Sequence, residues 1–369
     1  MTRFAQGVVI GKFYPPHAGH RHLIRTAAEH SEELAVVVLG NRFENIELAD
    51  RVKWLAAEFE ETNVTVLGMP NDCPEDYHSP AIWKAHDEAL RIALRTRGVT
   101  SVDAVFSSEE YGQQLAEHFG AVHVLVDAAR TAYPVSGTLC RDDLTAAWRT
   151  ILKPARQDMA VRIILVGAES TGTSTLTRAL TAHYRKRYPE LVDVPEFGRH
   201  YTYDKFAAAQ AGNPDAVLAD LVWTAEDFAV IGERQNELEN EAAARCPLVV
   251  ADTDSLATTL WERYYLGEGS HGSYRAMTQL PRRDLYLITD HEGVAFEDDG
   301  WREGEHRRAE MTEWFKEELT REGHSWILVS GDQDRRMATA TEIVDLIIAQ
   351  RNRFTSPPWA TRTVLAGQP

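Results

Sequence analysis

Cysteine is scarce in these 369 residues: Cys73, Cys140 and Cys246 lie far apart with no CxxC spacing. That argues against a disulfide framework or a thiolate zinc site and fits reduced thiols in a cytosolic protein. Also missing is any apolar run approaching the ~20 residues that span a bilayer. The N-terminus enters a strand-like run almost at once, so neither a signal peptide nor a DNA-reading helical domain is expected ahead of it. A cytoplasmic protein with no membrane partner is the expectation. Positive charge is in short supply as well, with 39 Lys and Arg against 56 Asp and Glu and a formal net charge of -17. Such a field repels polyanions. It argues against a nucleic-acid partner and requires any phosphate-bearing ligand to be drawn in by local basic groups, backbone N–H groups and Mg2+.

What is present is ordinary globular material, and at this length it suffices for two cores, since domains usually run to roughly 100–200 residues. Short β-branched runs at Gly7 to Ile10 and Leu34 to Leu39 flank a helical stretch, Gly19 to His30. Helices at Arg51 to Phe59 and Ile82 to Arg95 then alternate with strands at Val64 to Leu67, Ala104 to Ser107 and Ala121 to Val126. Such alternation predicts an α/β, doubly wound parallel sheet with its ligands at the carboxyl ends of the strands. The polar stretch Lys153 to Asp158 interrupts it, which places a boundary near residue 157. A second α/β domain over 158–350 follows. Its strands are expected at Val161 to Val166, Leu248 to Ala251, Leu285 to Ile288 and Trp326 to Val329, with helices at Thr173 to Tyr188, Leu218 to Ala244 and Ala338 to Ala349. Residues 351–369 lack periodicity and contain Ser356-Pro357-Pro358, so a mobile tail is expected. The pattern leaves self-association open.

Two loops that follow strands carry the chemistry. In the first, Gly11-Lys12-Phe13-Tyr14-Pro15-Pro16-His17-Ala18-Gly19-His20, the histidines are three apart and share one side of a helix N-terminus. Free N–H groups and partial positive charge there suit anionic oxygens, and Gly19 permits close backbone approach. Ordinary surface histidines at a helix start and a zinc site are the other readings, but for zinc His22 and His30 bring no carboxylate or cysteine constellation with them. The second loop, Gly167-Ala168-Glu169-Ser170-Thr171-Gly172-Thr173-Ser174-Thr175, matches the P-loop pattern except that Thr173 stands where lysine is usual. Backbone N–H groups would still cradle phosphates and Ser174 could still ligate Mg2+, while the point charge that reaches the β- and γ-phosphates is lost.

Downstream residues complete both sites. Trp83, Tyr133 and Trp54 are candidates to stack on a planar ring, with burial in the core as the commoner fate of such aromatics. Asp127, Arg130 and Tyr133 lie on a strand-end loop where a substrate would be met. In the second half, Val249 to Asp254 is an apolar strand ending in Asp252 and Asp254, suited to organising Mg2+ or a substrate hydroxyl. Glu196, in Pro195-Glu196-Phe197-Gly198-Arg199, is placed to accept a proton from an attacking hydroxyl. Asp298-Asp299-Gly300-Trp301-Arg302, with Arg307 and Arg308 behind it, reads as a lid closing over phosphates.

The first loop resembles the GxFxPxHxGH signature of the nucleotidylyltransferase superfamily, and Val135-Ser136-Gly137-Thr138-Leu139-Cys140-Arg141 is similar to its second signature, [IV]SxTxxR. The resemblance implies that Ser136, Thr138 and Arg141 hold ATP phosphates, and that an acceptor phosphate attacks the α-phosphorus with release of pyrophosphate. His17, His20, Lys12, Arg141 and Mg2+ would stabilise the charge, with Gly11, Phe13 and Gly19 shaping the ATP site. The second half resembles the ribosylnicotinamide kinase domain of bifunctional NadR-type proteins, with a similar loop, EFGR segment, DTD strand end and DDGxR lid. That implies ATP contacts from Gly167, Ser170, Gly172, Thr173, Ser174, Thr175 and Arg302, riboside contacts from Arg199 and Asp254, and a Mg2+ site at Ser174 and Asp252. It also supplies the acceptor of the first site: nicotinamide mononucleotide, giving NAD, with nicotinamide riboside as the kinase substrate. The departure at Thr173 keeps a second alternative open, a kinase-like domain that senses nucleotide without turnover.

Overall fold

The computed structural model describes residues 3–74, 79–297, 301 and 305–358. Two compact units divide after Arg156; the first also includes the described residues from Asn352 onward, and the second spans Gln157–Arg351. No described helix is long and apolar enough to cross a membrane.

The first unit is built on five parallel strands, β1 (Phe4–Gly11), β2 (Ser31–Gly40), β3 (Val64–Pro70), β4 (Ala104–Ser107) and β5 (Val122–Leu125), in the order β3-β2-β1-β4-β5. Side chains alternate along a strand, so neighbouring residues of β1 enter different cores. Val9 packs with Ile24, Val36, Val38 and Leu55, while Val8 and Ile10 pack with Val37, Leu90, Leu94 and Val105. Both faces are covered by helices, which is why β1 and β2 read as continuous apolar runs. The strand order reverses between β1 and β4, and a crevice at the carboxyl ends of these strands is where a doubly wound sheet binds ligands.

The second unit carries β6 (Val161–Val166), β7 (Leu248–Asp252), β8 (Leu285–Thr289) and β9 (Trp326–Val329), all parallel, in the order β7-β6-β8-β9. Central β6 is buried throughout and leads directly into the Gly167 loop.

Several expectations change. The polar stretch at the boundary is a helix, Lys153–Met159, in which Ala155 is fully buried. Helix Phe197–Gly212 was not legible because none of its residues is fully buried, and with no apolar stripe there is no period to read. Residues 218–244 do not form one helix: a 3-10 turn, Leu218–Asp220, precedes a helix Ala225–Arg245, which starts where Thr224 and Asp227 form a capping box. Helix Thr173–Tyr184 stops short of Tyr188. The expected mobile tail is anchored at its start, since Thr355 Oγ1 donates to the Phe43 carbonyl at 2.6 Å and Asn45 Nδ2 donates to the Arg353 carbonyl at 2.7 Å. Trp54, 3% exposed, belongs to the core and cannot stack on a ligand.

Candidate functional site

In the first unit, a cavity of about 510 Å3 is lined by residues of both signatures, including Lys12, His17, His20, Ser136, Thr138 and Arg141. Gly11, Phe13, Gly19, Trp83, Asp127, Arg130 and Tyr133 line it as well. Helix Ala18–Glu29 opens on His17 in extended conformation, which stacks the two imidazoles with ring centres 3.6 Å apart. The backbone N–H of His17 donates to His20 Nδ1 at 3.2 Å. This fixes the neutral tautomer of His20 with its proton on Nε2, so that nitrogen can only donate.

Burial first, then Arg130 and Arg141, lower the pKa of His17 to about 4. His20 is held well below its ordinary value by burial, then by His17 and Arg130. Both are therefore neutral N–H donors at physiological pH. Positive charge comes instead from Arg141, whose Nη1 donates to the Tyr14 carbonyl at 2.6 Å and Nη2 to Thr138 Oγ1 at 3.2 Å, joining the second signature to the first. Ser136 caps the helix Gly137–Asp142 by accepting from the Leu139 N–H at 3.2 Å.

Sequence reasoning missed Glu44. It is 7% exposed, lies 2.9 Å from Arg51 and 3.7 Å from Lys12, and so fixes the lysine's position at the cavity. An isolated Glu carries no pattern that marks it. Three expected substrate contacts, all at the cavity, are also held by contacts within the protein. Both carboxylate oxygens of Asp127 accept from the Thr131 and Ala132 N–H groups, which makes it an organiser of the loop. Arg130 pairs with Glu109 at 3.1 Å. Trp83 stacks on His118 with ring centres 5.3 Å apart and packs on the apolar cluster, leaving an edge at the cavity.

In the second unit, the Gly167 loop turns from β6 into helix Thr173–Tyr184. Gly172 sits at φ 87°, a left-handed conformation that glycine adopts without strain. A Cβ on Gly167 would lie 2.3 Å from Thr289 Oγ1, so the loop closes only around glycine. Thr173, in the lysine position, turns its hydroxyl toward the end of β8, 3.1 Å from Thr289 Oγ1, which in turn lies 2.6 Å from Thr171 Oγ1. Ser170 Oγ accepts from the Glu297 N–H at 2.7 Å.

Asp252, at the end of β7, receives a hydrogen bond from Ser174, and burial followed by the charge of Glu196 pushes its carboxyl up to about 7. Two carboxylates and a hydroxyl at one place are a donor set that suits a divalent ion. Glu196 lies 3.6 Å from Arg199.

Asp254 departs from the expectation. It is fully buried, accepts from the Ala257 N–H as a helix cap, and is bound by Arg283 at 3.0 Å and by the Tyr286 hydroxyl at 2.6 Å. Arg283 also binds Glu239 at 2.9 Å, so Asp254 belongs to a buried ionic network. Thr253, at φ 68°, breaks the strand's alternation and sends the two aspartates to different places. Arg302 and Asp298-Asp299-Gly300 lie outside the described residues. Of the other expected lid arginines, Arg307 pairs with Glu310 at 2.8 Å and sits over the Tyr264 and Trp314 rings. Arg308 is buried against the Gly167 loop.

Beside Glu196, Arg199 and Thr253 is a second cavity of about 100 Å3 walled by Tyr203, Trp223, Phe228, Trp261, Tyr265 and Trp301. Only the spatial arrangement assembles this wall. Its residues come from separate helices and loops, and the Trp223 ring lies 5.3 Å from Tyr265 and 5.5 Å from Phe228.

A family model described as an AAA domain matches residues 162–336. The trifunctional NAD biosynthesis/regulator protein NadR of Escherichia coli K12 is 27% identical over 302 residues, covering 77% of this chain and 68% of that protein. Its Salmonella typhimurium counterpart is 26% identical with the same coverage. A crystal structure of a NadR protein in complex with NR has the same fold at a TM-score of 0.56 and 20% identity, covering 93% of this chain and 96% of that one. Another, with NAD and AMP-PNP, gives 0.57 at 20% identity and covers 94% and 98%. Similarity of sequence through 77% of its length makes the chain a homologue of the NadR proteins.

Proposed function

We propose that the chain is a cytoplasmic NAD-salvage enzyme whose first unit transfers the adenylyl group of ATP to nicotinamide mononucleotide and whose second phosphorylates nicotinamide riboside. The observation that carries this reading is the convergence of His17, His20, Lys12, Ser136, Thr138 and Arg141 on one cavity. A phosphate oxygen of the mononucleotide attacks the α-phosphorus, the bond to the bridging oxygen breaks, and pyrophosphate leaves. The acceptor is already anionic, so no general base is needed. His17 and His20, held neutral, donate to the phosphate oxygens, while Arg141 and Lys12 offset the charge. A well-aimed donor of this kind is worth on the order of a hundredfold in rate. The relatives named for NAD biosynthesis support the product.

In the second unit the aromatic cavity suits a nicotinamide riboside, whose pyridinium ring is a flat cation that aromatic faces attract. Its hydroxyl attacks the γ-phosphorus, the proton passes to Glu196, and ADP leaves. Ser174 and Asp252 would hold Mg2+, which when bound neutralises charge on the phosphates.

One observation favours a second reading, a nucleotide sensor that does not turn over: the hydroxyl of Thr173 is directed to Thr289 and brings no cation to the phosphates. Separate incubations with ATP, Mg2+ and either the riboside or its mononucleotide, following NAD, ADP and pyrophosphate, divide the two. The kinase reading expects ADP from the riboside and NAD from both. If NAD forms only from the mononucleotide, the sensor reading holds. If it forms from neither, the proposed function fails.

A further inference from the structure

The lysine that the Gly167 loop lacks would bring one positive charge to the phosphates from the front. Two guanidiniums instead meet the loop at its carbonyls. Arg308, 7% exposed, donates from Nη2 to the Ser170 carbonyl at 3.2 Å, and from Nη1 to the Val294 carbonyl at 3.0 Å. Arg336, 4% exposed, donates to the Thr171 carbonyl at 2.5 Å and to the Asp290 carbonyl at 2.7 Å. These are the oxygen ends of the two peptide units whose nitrogens belong to Thr171 and Gly172. Neither N–H finds an acceptor among the described residues. A peptide unit whose oxygen is bound by a cation is polarised, and its N–H becomes a stronger donor.

The two arginines are not equivalent. Arg336 feels the opposing charge of Asp290. Neither arginine forms an ion pair with a described carboxylate, but Nε of Arg308 is buried without a hydrogen-bond partner, whereas Nε of Arg336 donates to the Gly331 carbonyl at 2.9 Å. A buried cation acts over a longer range than a solvated one, because little solvent screens it. We propose that Arg308 supplies from behind the loop the charge that Thr173 does not, so that the loop holds the phosphates of a nucleoside triphosphate without its lysine. The inference rests on the reading of the second unit as nucleotide-binding and makes Arg308 a positioning residue that acts through the loop.

The test titrates the full chain with AMP-PNP and Mg2+ and follows hydrogen–deuterium exchange of residues 167–176, which reports this loop separately from the first unit. Arg308→Gln is expected to raise the half-protecting concentration about tenfold or more, and Arg308→Lys by much less, since it keeps the charge and loses only the fork. Thr173→Lys is expected to restore protection in the Arg308→Gln chain and to add little to the wild type. Equal protection in Arg308→Gln and wild type overturns the proposal, and so does a Lys variant as weak as the Gln one. Should Arg308→Gln fail to fold, a large gain from Thr173→Lys in the otherwise unchanged chain overturns it too. A wild-type loop that AMP-PNP leaves unprotected instead overturns the nucleotide-binding reading itself.

Discussion

The two loops proposed to bind phosphates start from the same local device, a turn from the end of a central parallel strand into a helix, and differ in where positive charge and donors are placed. At the first loop the side chains come to the cavity: His17, His20, Lys12 and Arg141 all line it. At the second, Thr171 and Thr173 bring hydroxyls, and the guanidiniums of Arg308 and Arg336 bind the loop's carbonyls. A loop read only for its own cations therefore looks complete in one case and defective in the other, although both lie in a chain with a strongly negative net charge.

The sharpest way to break this comparison is to remove a buried charge that serves only the second unit. Arg283→Met leaves Asp254 and Glu239 without their shared partner and is expected to destabilise that unit by about 3–5 kcal/mol. Calorimetry with domain-resolved transitions would show it, with adenylyl transfer by the first unit unchanged. Adenylyl transfer that fell in parallel would mean the two units are not independent. Next in size, His20→Ala should lower NAD formation from the mononucleotide roughly a hundredfold while circular dichroism stays native. Near wild-type turnover would remove His20 from the chemistry.

A smaller effect is expected from Trp223→Ala, which opens the aromatic wall. The KM for the riboside should rise about tenfold, in line with the loss of a cation–π contact, while the mononucleotide reaction does not change. An unchanged KM would place the riboside elsewhere. A further effect concerns pH. His17 is neutral in the folded state down to about 4, whereas the unfolded chain takes up a proton near 6.5. The unfolded state binds more protons in that window, so the stability contributed by a neutral His17 is lost as pH falls from 6.5 toward 4. Acid titration of the first unit's melting transition should accordingly be shallower in His17→Asn than in the wild type, and identical slopes would contradict the buried, neutral imidazole.

Legibility in the sequence followed the range over which each constraint acts. The first site could be read because its two signatures are each local turns, and a turn fixes which backbone N–H groups and side chains face outward. Helix Ala18–Glu29 and the positions of the strands along the chain follow from periodicity. Helix Phe197–Gly212 could not be read, since its faces are half-exposed and carry no apolar stripe. The same limit explains the aspartates after β7. Strand alternation places Asp252 and Asp254 on the same face, and it is the positive φ of Thr253 that leaves one beside Ser174 and buries the other beneath Arg283.

By itself the sequence determined that there are two α/β units, where their strand-to-helix loops lie, that the second loop has threonine for lysine, and which residues meet at the first cavity. These are consequences of backbone geometry within a few residues and of the period of apolar side chains. Only the tertiary structure decided that six aromatic side chains form one wall, that Glu44 holds Lys12, that Asp254 is scaffold, and that a buried arginine more than a hundred residues along the chain backs the altered loop. Those facts depend on which side chains packing brings together from distant segments, and no local pattern in the chain records that.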